Sequence, residues 1–220
     1  MPHEVRRPKA IIRIPREGWQ SGVVPLPRPR FRAISRAVIE PLTRARPPLA
    51  RPATGGAGLP VAYIFRDVLA EIQFNGQYHA RQMAGGLLVG NHYQCPDSGR
   101  PYVEVEGFVA GVHVEGLADL LRYFRVQWKS AGLALRYNFP GAELVGWFAA
   151  VPPNGATVDP SAQDALLLHQ TFFSHPWQVA LSVAPEPEGP AAFVAGRGAE
   201  GAGPTLAAAG VGLIQSGRAR

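Results

Sequence analysis

Cysteine is almost missing from this chain: Cys95 is the sole one in 220 residues. A lone thiol excludes an internal disulfide framework and any zinc centre built on several cysteines, and it favours a reducing, intracellular compartment. Long apolar runs are missing too. No stretch of about 18 apolar residues is present to cross a bilayer as a helix, and Met1-Pro-His-Glu-Val-Arg-Arg-Pro8 leads into no apolar segment of the kind a secretory leader carries. The expectation is a soluble, cytoplasmic protein with no membrane partner. Acidic residues are scarce at one end. Residues 1 to 51 hold twelve Arg and Lys against Glu4, Glu17 and Glu40, a balance of +9, whereas the ten basic and thirteen acidic residues that remain give −3. The basic excess therefore belongs to an N-terminal arm, and the rest of the chain is mildly acidic.

The 25 Gly and 22 Pro concentrate toward the two ends, which points to extended arms rather than a second core. Three segments follow: a basic Pro/Arg-rich arm over 1–58, a globular domain over 59–196, and a Gly/Ala-rich tail over 197–220, in which Leu213-Ile214 could tuck back onto the domain. The arm mixes Pro25-Leu-Pro-Arg-Pro-Arg30 and Arg44-Ala-Arg-Pro-Pro48 with two short apolar patches, Ile11 to Ile14 and Ile34 to Leu42. Neither patch suffices for a core, and segments of this composition order on a partner surface. Arg6, Arg7, Arg28, Arg30 and Arg32 are the candidate contacts, to an acidic protein face or a phosphate backbone. A solubilising extension is the other reading. With only Trp19 and Phe31 as aromatics and no recognised binding module, contact with nucleic acid would be non-specific.

At 46% hydrophobic residues the chain can bury one sizeable core. Val61, Ile64, Phe65, Val68, Leu69 and Ile72 recur at helical spacing and predict an amphipathic helix, ended or interrupted at Asn75-Gly76. Gly85-Gly-Leu-Leu-Val-Gly90 predicts a short buried strand whose glycines serve close packing, since no P-loop lysine accompanies them. Asn91 to Pro101 reads as a polar loop. Tyr102 to Val109 alternates Val with Glu104 and Glu106, a strand with one wet face. Leu117, Leu120, Leu121, Phe124 and Trp128 predict a second helix, their stripe belonging to core rather than to a cofactor box. Glu143 to Phe148 predicts a strand, and Val151 to Pro160 an irregular, proline-broken loop. Ser161 is a plausible N-cap with Asp164 in a capping-box position, and a helix continues from Ala165 to Phe173. Gln178 to Ala184 and Ala191 to Ala195 predict two apolar strands. The fold class expected is α/β (α+β), a central mixed sheet flanked by helices.

The order of Gly-Gly-Leu-Leu-Val-Gly strand, Val-Glu-Val-Glu strand, long helix, Leu-Val-Gly-Trp-Phe strand, proline loop, Pro-Ser-x-x-Asp helix and Pro-Trp-Gln-Val-Ala-Leu strand resembles the JAB/MPN (Mov34/PAD-1-like) domain family over about Val61 to Ala195. Active members of that family are zinc metalloproteases that cleave isopeptide bonds behind ubiquitin or ubiquitin-like proteins. Their signature joins a Glu before the first strand to His-x-His-Pro and a following Ser-x-x-Asp. Placed on Gly146-Trp147-Phe148, the resemblance puts the two zinc-ligand histidines on Ala149 and Val151, the motif proline on Pro152, and the serine and third ligand on Ser161 and Asp164. The general base falls on Met83, with Gln82 beside it. Alanine and valine offer no lone pair, methionine takes no proton at neutral pH, and one carboxylate cannot hold catalytic zinc.

The candidates to replace the missing ligands are His92, His113, His169, His175 and Cys95. His169 lies five residues past Asp164, about 140° around the helix, and Ser174-His175-Pro176 sits on the far side of that helix as its ending loop. His3, His79, His92 and His113 read as surface or packing residues. Ser161 and Asp164 are then a vestigial motif that serves a helix start, with no catalytic residue, metal or cofactor. The resemblance implies a pseudoenzyme, a non-catalytic scaffold or interaction subunit of a larger assembly with the arm as tether. Its partner would be a protein, such as another MPN/JAB subunit or a component of a ubiquitin-like pathway. The alternatives are a zinc isopeptidase with a displaced site and an accessory factor that binds nucleic acid through the arm.

Overall fold

The computed structural model describes residues 30–31, 39–41, 59–79, 81–94, 101–153, 155, 158–159, 162–185, 190–197 and 204–214. In chain order the elements are β1 (Arg30–Phe31), β2 (Ile39–Pro41), β3 (Val61–Phe65), α1 (Arg66–Gln77), β4 (Met83–Gln94), β5 (Pro101–Val114), α2 (Leu117–Asn138), β6 (Glu143–Ala150), α3 (Gln163–Phe172), β7 (Val179–Val183), β8 (Pro190–Arg197) and β9 (Pro204–Ile214).

The strands pair in the order β4-β5-β3-β9-β8-β7-β6, and β6 pairs back onto β4, so seven strands close into a barrel of mixed sense. The β3–β5, β3–β9 and β6–β7 pairs are parallel and the other four antiparallel. This corrects the expected fold class: a closed barrel is not the MPN/JAB-like central sheet flanked by helices that the resemblance implies. The long β4, twelve residues against five in β3, can hold β5 along one edge and β6 along the other, and that second pairing removes the open edges a flanked sheet would have. β1 and β2 extend two of these ladders, β1 beside Tyr93 and Gln94 of β4 and β2 beside Gly212 to Ile214 of β9.

Seven strands enclose an interior that takes Ile64, Leu88, Val105, Phe148, Leu181, Val194 and Leu213, one from each. α1 adds Val68, Leu69 and Ile72 to the same cluster and touches β3 to β7, closing one end of the barrel. A second cluster lies outside, where α2 and α3 pack Leu120, Phe124 and Leu168 on the outward Leu87, Trp147 and Ala180 of β4, β6 and β7. Each fully buried aliphatic or aromatic side chain of this size contributes about 1.5–3 kcal/mol.

Several predicted elements need correction. Val61–Phe65 is a strand: Ala62 and Ile64 are buried and their neighbours half-buried, the two-residue period of a pleat, and β5 and β9 supply partners on both edges. The helix begins only at Arg66. Asn75-Gly76 lies within its last turn, where Asn75 Nδ2 donates to the Glu71 carbonyl at 2.8 Å. Asn91 to Gln94 continues β4, and Pro101 already belongs to β5. The wet face of β5 is mostly dry, since Glu104 is buried and only Glu106 is exposed. The stretch read as a tail carries β9, bonded on one side to β3 and on the other to β8. Its Ala-Ala-Ala-Gly composition hid it, since these residues favour strands weakly.

Candidate functional site

Positions matched to zinc chemistry by the resemblance lie along adjacent strands. Gly85 of β4 faces Ala149 of β6, and Met83 and Ala149 join the outer cluster beneath α2 and α3. Ala149 is fully buried and Val151 nearly so, its N–H donating to the Val183 carbonyl at 2.9 Å. Across the β6–β7 ladder Ala149 pairs with Ser182, whose hydroxyl accepts the Val158 N–H at 3.4 Å and holds the loop beyond β6. Asp164 does not join them. It is exposed at the second position of α3, after an Ala162 N-cap that makes no side-chain cap bond. The capping-box placement is therefore off by one residue, although a carboxylate there still suits the positive end of the helix. Ser161 lies outside the described residues, as do Arg6, Arg7, Arg28 and Arg32. Arg30 falls in β1, opposite Tyr93. Among the described residues no three His, Cys, Asp or Glu side chains gather to hold a metal ion.

The end of the barrel opposite α1 is polar. His92 and Glu143 stand on neighbouring strands near the Gly90–Glu143 pair, and His92 Nδ1 meets Glu143 Oε2 at 2.9 Å with both side chains buried. The indole of Trp177 stacks on His92 at 4.1 Å between centroids, 7° from parallel, and His175 stacks on the same indole at 5.4 Å. Gln178 pins this segment, donating from Nε2 to the Leu144 carbonyl at 3.0 Å and accepting the His175 N–H at 3.1 Å. Burial, with His92 nearby, lowers the pKa of His175. A carboxylate that bonds one imidazole nitrogen orients the ring, and the Trp177 face shields it from water. The arrangement is a latch between β4, β6 and the segment before β7. His92 lies in β4 rather than in the expected loop, His175 lies in the loop after α3 as expected, and a 51-residue separation between His92 and Glu143 leaves no local signal of their pairing.

A second histidine pair lies at the α1 end. His79 and His113 approach to 4.3 Å between ring centroids, and His113 Nε2 lies 3.0 Å from the Asn75 carbonyl, to which it can only donate.

Large apolar side chains are exposed on the helices. Phe74 and Tyr78, four residues apart at the end of α1, are 65% and 71% accessible, and Val126, Leu133 and Tyr137 of α2 are 53%, 53% and 82% accessible. The α2 trio lies on the face away from Leu120, Phe124 and Ala131, which pack inward. Arg122, Arg125, Lys129 and Arg136 are exposed beside it. The Leu117-to-Trp128 stripe does not include this face; apolar residues seven apart on the polar side of the helix are its signal in the sequence.

No family model matches the sequence, and no curated protein matches it. Among solved structures, the solution structure of protein DSY2949 from Desulfitobacterium hafniense is similar at a TM-score of 0.44 and 17% identity, over 70% of this chain and 94% of that chain.

Proposed function

We propose that this chain is a non-catalytic interaction subunit, a closed barrel that presents a helix surface to a protein partner, with the basic N-terminal arm as tether. One observation carries the reading: α2 exposes Val126, Leu133 and Tyr137 in a single stripe, where isolated exposed apolar residues are ordinary but an ordered row of them marks a contact surface.

The chain's two lysines allow a direct test, because Lys9 lies in the arm and Lys129 on α2. Amine-reactive cross-linking of the complex purified from its native source should join Lys129, Lys9 or both to one recurring partner, and the purified chain should carry no stoichiometric zinc. Recovery as an uncross-linked monomer would overturn the proposal. So would stoichiometric zinc that Asp164→Ala removes, which would favour the isopeptidase alternative.

A further inference from the structure

We infer that the outer face of α2 receives an α-helix of the partner protein, apolar along one row and acidic along the next; this rests on the interaction role proposed above. Two rows run along the face with a seven-residue repeat: Arg122, Lys129 and Arg136 in one, Val126 and Leu133 in the other, with Tyr137 one turn beyond Leu133. Seven residues return an α-helix to within about 20° of its starting direction, so each row stays nearly straight, and the basic row runs about 21 Å. This is the repeat by which one helix seats side chains between those of another, with flanking charges that select the partner.

Charge settles the sign of the occupant. Arg122 already pairs with Asp119 at 3.0 Å, but among the described residues no carboxylate pairs with Arg125, Lys129 or Arg136. A second copy of this chain packed antiparallel would set basic row against basic row, and the arm, at +9 over residues 1 to 51, carries the same sign; both juxtapositions are unfavourable. An acidic helix is complementary.

One glycine serves as a control position. Gly132 lies inside α2 on the basic flank, where glycine costs about 1 kcal/mol relative to alanine. A Cβ placed there would meet nothing within 4 Å, so packing within the chain does not require glycine.

The test uses the full chain and a dye-labelled three-heptad helical peptide with Leu at the core positions and Glu beside them, followed by fluorescence anisotropy. Wild type should bind it, the K129E/R136E variant should lose at least about tenfold in affinity, and a matched peptide with Lys in place of Glu should bind that variant in preference to wild type. Leu133→Asp should weaken both pairings. Gly132→Ala, about 100° around the helix from Leu133, should raise the unfolding midpoint and leave binding unchanged. The inference is overturned if K129E/R136E binds the acidic peptide as wild type does, if wild type does not bind it up to about 1 mM, or if phosphatidylserine vesicles bind with the same response to K129E/R136E and none to Leu133→Asp. Such a failure, with Lys129 still cross-linked in the native complex, removes the acidic helix and leaves the interaction role standing; loss of both removes both.

Discussion

His169 is fully buried in α3, and its Nδ1 accepts the Trp147 indole N–H at 3.2 Å. An accepting Nδ1 carries no proton, so the neutral ring holds its proton on Nε2, which has no partner among the described residues. Burial lowers its pKa to about 4, because a charged imidazole would leave water for an apolar site. In the unfolded chain the value returns to roughly 6.5. Between these values the unfolded state binds the proton and the folded state does not, so the stabilising contribution is complete above about 6.5 and is lost as pH falls toward 4. The loss between pH 7 and pH 4.5 should reach about 2.5 kcal/mol. Urea unfolding midpoints at the two pH values measure it, and His169→Leu should flatten the difference even if it destabilises the protein at pH 7. An unchanged pH dependence in that variant would show that other groups carry the acid sensitivity. The sequence showed that His169 and Asp164 point apart on the helix, and they do, one buried and the other exposed. It could not show Trp147 as the partner, since a hydrogen bond across 22 residues has no local spacing to announce it.

Two element starts were legible. α2 begins where the Leu117–Leu121–Phe124 stripe predicts, and β6 begins at Glu143. The boundary between β3 and α1 was not, because Val61, Ile64 and Phe65 satisfy a period of 3.6 as well as a period of 2 in so short a run; two neighbouring strands decide it. Glycines inside strands mark where elements approach closely. Gly146 has φ +157°, and a Cβ there would strike the Val179 carbonyl of β7, so the bend of β6 requires glycine. The segment between α3 and β7 acts as a clasp on the polar barrel end through Trp177 and Gln178. Trp177→Ala should remove the stack on His92 and let water reach the buried pair, costing about 2–4 kcal/mol. The expected result is a lower denaturant midpoint with an unchanged slope; an unchanged midpoint would show that the latch holds without the indole.

Closure belongs to the whole molecule. β9 stands between β3 and β8 and buries Leu206, Leu213 and Ile214, so a chain ending at Gly203 should expose two strand edges and lose roughly 1.5–3 kcal/mol for each of these side chains. Set against a typical net stability of about 5–15 kcal/mol, this should abolish cooperative unfolding, as measured by near-ultraviolet circular dichroism and denaturant titration. A cooperative transition at the original midpoint would mean that the barrel holds without β9. By itself the sequence determined where α2 and β6 begin, the exclusion of an internal disulfide, and the concentration of basic charge in the first 51 residues; these depend on composition and on spacings within one turn or one pleat. Only the tertiary structure decided that the sheet closes, that β9 completes it, and that His92 and Glu143 meet. Those outcomes depend on which edges find each other across long stretches of chain, and an edge presents the same backbone groups whatever side chains it bears.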